Sequence, residues 1–460
     1  MNESYKVGQE IKLDIRKMGI NGEGIGYINN VCVFVYGAME KEVVYATIRE
    51  VHDNYLIADL SSIEKKSKLR VEPFCKFFNQ CGACTIQHID YTMQLKIKRN
   101  ILINSLRKYT HKLDIENTKI YLTVPSDEID YRNKSQMPFR DTNFGLSLGL
   151  YEEFTNKFVF IDNCPIEKDE VNQIKKEVLT TLIKYNQSTK KNGGVLKYLV
   201  VRYLNGNAQV TFVLEDYKDI YLKIADEIMA KNSDIRTVAY TIAKKNSVSI
   251  FGDEVNIIRG VNYINGDILG LKVKLSPKSF YQLNEKQSEK LYKEIVDHIE
   301  EDKIVFDGYS GIGVLGLLLS RKSKHVYSVD LSSDSIKNAR INARENDVKN
   351  ITFYSDKIEN RFPTLIKDGI KPDAIILDPP RSGLSDQVIK TILKSGAKTI
   401  YYVSCNTSTL AKNLNELLEE YNVSYMRPYD FFMETALVET LCVLEKKSIS
   451  HHIKEVKNEI

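Results

Sequence analysis

The 460-residue chain lacks an apolar run of membrane-spanning length, so no helical membrane span is expected. Its start, MNESYKVGQEIKLDI, lacks the basic region and apolar stretch of a secretory signal. Its seven cysteines are too few and too irregularly spaced for a small disulfide framework, and a chain this long buries ample core without one. Net charge is only +4, so whole-molecule attraction to nucleic acid is weak and any such binding must come from local patches. No internal repeat is present, and nothing points to an obligate protein partner; a monomer is expected. A reduced cytoplasm is the expected compartment, where clustered cysteines point to metal or catalysis before disulfides.

What is present divides into three parts. Residues 5–62 read as short strands (EIKLDIRKM, IGYINN, VCVFVY, KEVVYATIREV, YLIADLSSI) separated by Gly-rich turns such as Asn21-Gly22-Glu23-Gly24. Five short strands without a helical period predict a small closed all-β barrel over residues 1–62. Residues 63–275 predict a mixed α+β central domain with a cysteine cluster. Its helix, YTMQLKIKRNILINSLRKYTHKL near 91–112, carries Leu95, Ile101, Leu102 and Leu106 on its apolar side and is expected to pack on the C-terminal domain. From 276 to 460 strand and helix alternate, predicting a doubly wound, Rossmann-like parallel α/β sheet. The last two strands, VSYMRPYDFF and LVETLCVLEK, have no helix between them, so one should run antiparallel. The closing SISHHIKEVKNEI is polar, and its paired histidines carry no weight.

Cys405, in KTIYYVSCNTSTLAKNL, sits where an apolar strand gives way to a helix. About thirty residues upstream, DAIILDPPRSGL ends another strand in Asp378; about thirty downstream, METALVETLCVLEK places Glu439 at the start of a third. Alone, Cys405 would read as a small buried hydrophobe and Glu439 as a solvated strand-end charge. Together, a thiol and two acids meet at the sheet edge where such folds bind ligands. The prolines after Asp378 fix the chain direction and hold its carboxylate rigidly. Arg381 follows, where enzymes acting on exocyclic amino groups carry an aromatic residue, so chemistry at a ring carbon fits better.

After the strand KIVFDG comes Tyr309-Ser310-Gly311-Ile312-Gly313, with Gly316 further on and Asp330 ending the next strand. This loop matches a dinucleotide fingerprint, with Asp330 placed to bind two ribose hydroxyls, and an NAD-dependent oxidoreductase is one reading. With Asp307 ahead of it, it equally suits the adenosyl moiety of S-adenosylmethionine; tight strand–helix packing is the plain alternative. A nucleophilic thiol beyond Asp-Pro-Pro-Arg decides for methyl transfer. Carbon 5 of uracil is too poor a nucleophile to attack a methyl sulfonium until a thiolate adds to carbon 6, and a base must then remove the carbon-5 hydrogen. A free cysteine, with a pKa of roughly 8.5, needs help to supply that thiolate. The amides opening a helix through Leu410, Leu414, Leu417, Leu418 and Tyr421 are expected to give it, with added charge from Arg381.

With these residues in hand, the chain resembles the RNA uracil-5 methyltransferases nearly end to end, in the ribosomal-RNA branch. The resemblance implies that the barrel is a TRAM domain binding RNA, that S-adenosylmethionine is the methyl donor, and that large-subunit ribosomal RNA is a likelier target than transfer RNA. The run SPKSFYQLNEKQSEKLY resembles the segment leading into the catalytic domain, with Gln282 at a cofactor-binding position. Tyr309, Gly311, Asp330 and Asp378 match cofactor or active-site positions, Cys405 the nucleophile and Glu439 the base. Ser310 departs from the cysteine often found there, which is not catalytic. A non-catalytic RNA-binding protein is the other alternative, and intact Cys405 and Glu439 argue against it.

Cys75, Cys81, Cys84 and the distant Cys164 make four thiols, three of them local, which suit zinc or an iron–sulfur cluster alike. The resemblance favours a 4Fe-4S cluster, since the spacing is followed by Gln87-His88; Gly82-Ala83 departs slightly from its Gly-Gly. Cys32 and Cys442 read as core. Basic segments that could contact phosphate are Lys65, Lys66, Lys68 and Arg70; Lys96, Lys98, Arg99 and Arg107; and Tyr131-Arg132-Asn133-Lys134, though solvated faces are the default for such runs. Nearby tyrosines suit stacking on unpaired bases, and the target uridine must be flipped or unpaired to expose carbon 6.

Overall fold

Strict alternation builds the first unit. The structure, a computed structural model, describes residues 5–127, 129–244 and 249–448, so the paired histidines of the tail lie outside the described residues. Strands β1 (Glu10–Met18), β2 (Gly24–Ile28), β3 (Val31–Tyr36), β4 (Val43–Val51) and β5 (Tyr55–Lys65) close a barrel in the order β1-β2-β3-β5-β4. Ile11, Leu13 and Ile15 point inward to meet Val33, Val35, Val44, Ala46, Ile48, Leu56 and Ala58. That alternation corrects one expectation: Val33 and Val35 take the interior, which leaves Cys32 half-buried on the outer face.

Helix α1 (Tyr91–Tyr109) is capped by Asp90, whose carboxylate accepts from the Thr92 amide, and it joins two cores. Met93, Ile97 and Ile101 pack with Met18 and Met39 of the barrel, while Leu102 and Leu106 enter the core of the C-terminal sheet. Leu95, expected on the apolar side, is only half-buried.

The central sheet uses β6 (Lys134–Thr142), β7 (Gly145–Tyr151), β8 (Phe158–Phe160), β9 (Leu196–Leu204), β10 (Asn207–Leu214), β11 (Ile235–Ile242) and β12 (Asn256–Gly260) in the order β12-β11-β10-β9-β6-β7-β8. Helices α2 (Asp169–Lys184) and α3 (Ile220–Lys231) share its core; α3 makes the crossover between β10 and β11, which run parallel. The hairpin β13 (Ile264–Ile268) and β14 (Leu271–Leu275) follows.

Helix α4 (Glu285–His298) opens the C-terminal unit. It continues as β15 (Ile304–Gly308), α5 (Val314–Ser320), β16 (His325–Asp330), α6 (Ser333–Glu345), β17 (Ile351–Ser355), α7 (Ile358–Lys367), β18 (Ala374–Leu377), α8 (Asp386–Ser395), β19 (Thr399–Ser404), α9 (Thr407–Leu417), β20 (Tyr421–Tyr429) and β21 (Glu439–Lys446). The strand order is β17-β16-β15-β18-β19-β21-β20, with β21 antiparallel to both neighbours as the missing helix implied. The hairpin β13–β14 packs between Leu204 of β9 and Val314, Leu317 and Ile336 of this unit. Tyr421 opens β20 and does not belong to α9, which ends at Leu417. No helix among the described residues is long and apolar enough to cross a membrane.

Candidate active site

The order of strands reverses between β15 and β18, the switch point at which sheets of this kind bind ligands. Parallel β15, β16, β18 and β19 deliver Tyr309, Asp330, Asp378 and Cys405 to one edge of the sheet. Antiparallel β21 starts at that same edge with Glu439. Ser404 is paired with Thr440, so the next rung sets Cys405 opposite Glu439. A thiol and an acid far apart in sequence thus become neighbours through register alone.

Glu439 is not a solvated strand-end charge. It is only 6% exposed, and its Oε1 has no hydrogen-bond partner among the described residues. Burial first, then the Asp378 charge, push its carboxyl well above the usual range, against the pull of Arg381. Burial pushes Asp378 up to about 7. The Cys405 thiol is raised to about 11 by burial and by the charges of Glu439 and Asp378, with Arg381 opposing. Two of the amides that open α9 are taken by its own cap. Asn406 caps α9, and its Oδ1 accepts the amides of Ser408 at 3.0 Å and Thr409 at 3.4 Å. The Asn406 Nδ2 also donates to the Arg381 carbonyl at 3.0 Å, which ties the Asp-Pro-Pro-Arg turn to the cysteine loop.

The glycine loop is set by backbone need. Tyr309, Gly311 and Gly313 all have positive φ (64°, 55° and 80°), and a Cβ on Gly311 would meet nothing within 4 Å, so the loop faces open space. Asp330 accepts the Gly311 amide at 2.9 Å and the Ser332 amide at 2.8 Å, leaving acceptor capacity for a ligand. Asp307 is buried beneath the loop; burial raises it to about 7 despite the hydrogen bond donated by Ser328 at 3.0 Å. Gln282 is half-buried, its carbonyl accepting from Asn133 Nδ2 at 3.0 Å. Tyr292 of α4 carries no motif that marks it in sequence, and it lies half-buried beside the buried Leu291 and Ile295. Its hydroxyl is raised by burial and by Asp378, Asp307 and Glu439, and it engages the Gln282 side chain.

The four thiols come together elsewhere. Cys75, Cys81, Cys84 and Cys164 line one cavity with Gln87, which is buried. Gln87 Oε1 accepts the Cys75 amide at 2.9 Å, while its Nε2 finds no partner among the described residues. No three His, Cys, Asp or Glu side chains among the described residues converge to hold a single metal ion.

The basic segments fare unevenly. Lys65, Lys66, Lys68 and Lys96 are exposed. Lys98 is fully buried against Asp430 at 2.5 Å, which removes it from any phosphate-binding face. Arg70 grips Glu42 through two 2.7 Å bonds, and Arg99 donates to the carbonyls of Ile120 and Tyr121. Arg107 pairs with Glu116 at the surface. Tyr131 and Asn133 are buried, and Lys134 is lowered to about 7 by burial and by Arg202 and Arg132.

Comparison with known proteins places the chain in a family. The family described as tRNA (uracil-5-)-methyltransferase matches residues 90–447, and the TRAM domain matches residues 5–61. An uncharacterised RNA methyltransferase of Listeria innocua is 36% identical, over 97% of this chain and 100% of that protein. Another, from Streptococcus agalactiae, is 34% identical over 95% of this chain and 98% of its own. Among solved structures, a Pyrococcus abyssi tRNA (uracil-54, C5)-methyltransferase in complex with S-adenosyl-L-homocysteine superposes with a TM-score of 0.73. It is 24% identical, covering 94% of this chain and 100% of that one, a likeness of fold.

Proposed function

The chain belongs to the tRNA (uracil-5-)-methyltransferase family and carries a TRAM domain; we propose that it methylates carbon 5 of a uridine in RNA, with large-subunit ribosomal RNA as the target before transfer RNA. The observation that carries the reading is the Ser404–Thr440 pairing, which brings Cys405 beside a buried Glu439 whose Oε1 has no partner among the described residues. The ribosomal assignment rests on the barrel combined with four cysteines, by which the chain resembles that branch.

Tyr309, Gly311, Asp330, Gln282 and Asp378 would hold S-adenosylmethionine, which supplies an electrophilic methyl group. In this reading the Cys405 thiol gives its proton to water, and Sγ bonds to carbon 6 of the uracil as the carbon 5–carbon 6 double bond opens, giving an enolate nucleophilic at carbon 5. Arg381, exposed beside the thiol and opposing its upward shift, favours the thiolate. After carbon 5 is methylated, Glu439 Oε1 takes the hydrogen there as a proton. The released electron pair restores the carbon 5–carbon 6 double bond and expels Cys405 as thiolate. Burial raises the basicity of Glu439, which suits it to remove a weakly acidic hydrogen. The exposed lysines around the barrel and connector would position RNA backbone. The division into barrel, central domain and catalytic domain is read as RNA docking on the first two and chemistry on the third.

The four-thiol cavity is read as a 4Fe-4S site. Zinc needs four sulfurs within roughly 2.3 Å of one point. A cubane cluster takes one thiolate at each of four irons, and the four thiols lining one cavity support that reading. The orphaned Gln87 Nε2 in the cavity wall is a donor suited to an anionic sulfur. Methyl transfer from a sulfonium needs no electron, which makes a structural role the expected one.

RNA from cells lacking this protein, treated with it and methyl-labelled S-adenosylmethionine, should gain 5-methyluridine in large-subunit ribosomal RNA. Label in transfer RNA alone would overturn the ribosomal assignment; no labelled uridine, with calorimetric binding of NAD instead, would return the dinucleotide reading. Anaerobically purified protein should be brown with about four irons per chain, whereas colourless protein holding one zinc would sink the cluster.

A further inference from the structure

The segment from Asp430 to Val438, between β20 and β21, ends one residue before Glu439, and parts of the chain far from the catalytic sheet hold it. From α1, the buried Lys98 donates to Asp430 Oδ1 at 2.5 Å and to the carbonyls of Phe432 and Leu437 at 2.9 and 3.1 Å. Tyr91 donates to Asp430 Oδ2 at 3.0 Å. Gln94 Nε2 donates to Glu434 Oε2 at 2.9 Å. From the cysteine segment, the amides of Thr85 and Ile86 both donate to the Glu434 carbonyl, at 3.1 and 3.2 Å, and Thr85 Oγ1 accepts the Ala436 amide at 3.3 Å. Met433 packs with Tyr131 and Ile166, and Cys84 and Cys164 lie against that cluster. Ala436 and Val438 pack with Ile86, Ile89 and the barrel's Met18 and Met39.

This density of bonds is more than a connection between two adjacent strands requires. Glu434 holds φ at 67°, a conformation costly for a residue with a side chain, and its neighbours over-determine it. Its carboxyl is buried and raised to about 6 by desolvation, with the Gln94 bond opposing.

We infer that Thr85 and Gln94 are positioning residues for the proposed base: the cysteine segment and α1 clamp the strap 430–438 and thereby set where Glu439 meets the carbon-5 hydrogen. This rests on the reading of Glu439 as base. It gives the four-thiol centre a task in the reaction without electron transfer, because Cys84 directly precedes the residues that grip Glu434. Loosening the clamp should spare attack by Cys405 and methylation, which do not use Glu439, and slow the proton removal that follows. A misplacement on the ångström scale is enough to cost on the order of a hundredfold in such a step.

The test is Gln94→Met, which keeps side-chain volume and all four cysteines, beside Cys84→Ser, wild type and Glu439→Gln. Each is mixed with target RNA and methyl-labelled S-adenosylmethionine, and the denaturation-resistant protein–RNA species is quantified against free methylated RNA. Gln94→Met should melt within a few degrees of wild type, bind S-adenosylmethionine equally, and hold at least about tenfold more labelled adduct at equal turnover time. Cys84→Ser should do the same where it folds; if it does not fold, Gln94→Met decides. If Glu439→Gln accumulates adduct and Gln94→Met does not, the clamp has no part in positioning the base and the inference is overturned. If Glu439→Gln itself accumulates none, the reading of Glu439 fails instead.

Discussion

Cys405 shows how far one residue's chemistry depends on its surroundings. Its place at a strand end before a helix was legible in sequence, and so was a carboxylate on the next strand. Its electrostatics were not, because the cap that occupies the α9 amides and the carboxylates that raise the thiol become apparent only when the strands are paired. A thiol raised to about 11 is protonated at neutral pH in the free protein, and its thiolate fraction grows tenfold per pH unit up to that value. Iodoacetamide labelling of Cys405, followed by mass spectrometry, should therefore be slow at pH 7 and still accelerating at pH 9. Asp378→Asn removes a negative neighbour and should speed labelling at pH 8, and Arg381→Met should slow it. A plateau below pH 7 would show that the thiol is already activated without RNA. Lys98 is the opposite case. In sequence it is one cation among several on a basic helix, and its partner Asp430 lies 332 residues away, so no local pattern could have shown that it is buried.

Among the elements, those with a clean period were legible and those joined by long-range packing were not. The alternating strands of the barrel and the β–α repeat of the C-terminal sheet follow from local hydrophobic spacing. The same rule, applied to β3, would have placed Cys32 outside. The helical spacing of Leu410, Leu414 and Leu417 extends by chance to Tyr421, where pairing with β21 takes over. Nothing local in sequence reveals that the hairpin β13–β14 packs on α5 and α6 as well as on β9 of the central sheet. The glycine loop belongs at this scale too. Asp330 both shapes it, by holding Gly311 and Ser332, and faces the space above it. Asp330→Ala should weaken S-adenosylmethionine binding by on the order of tenfold to a hundredfold, since a charged acceptor of two amides is lost along with its bonds to the ligand. RNA affinity, measured by filter binding, should stay within about twofold on the same energy scale. An unchanged cofactor affinity would reduce Asp330 to a structural brace.

Across the whole molecule, the barrel, α1 and the cysteine segment pack on the strap before Glu439, and Phe431 of the strap joins the core of the C-terminal sheet. Parts of the chain far apart in sequence thus hold the residues that lead into Glu439. The central claim is that Cys405 and Glu439 act at different stages of one covalent reaction, and the most direct measurement is of where each variant stops. Cys405→Ala should give no methylation and no covalent species. Glu439→Gln should give a denaturation-resistant protein–RNA complex that already carries the transferred methyl group, because attack and methylation precede the step that needs the base. The complex should vanish in the double variant with Cys405→Ala. Normal turnover by Glu439→Gln, with no trapped complex, would contradict the account and move the proton to Asp378 or to water.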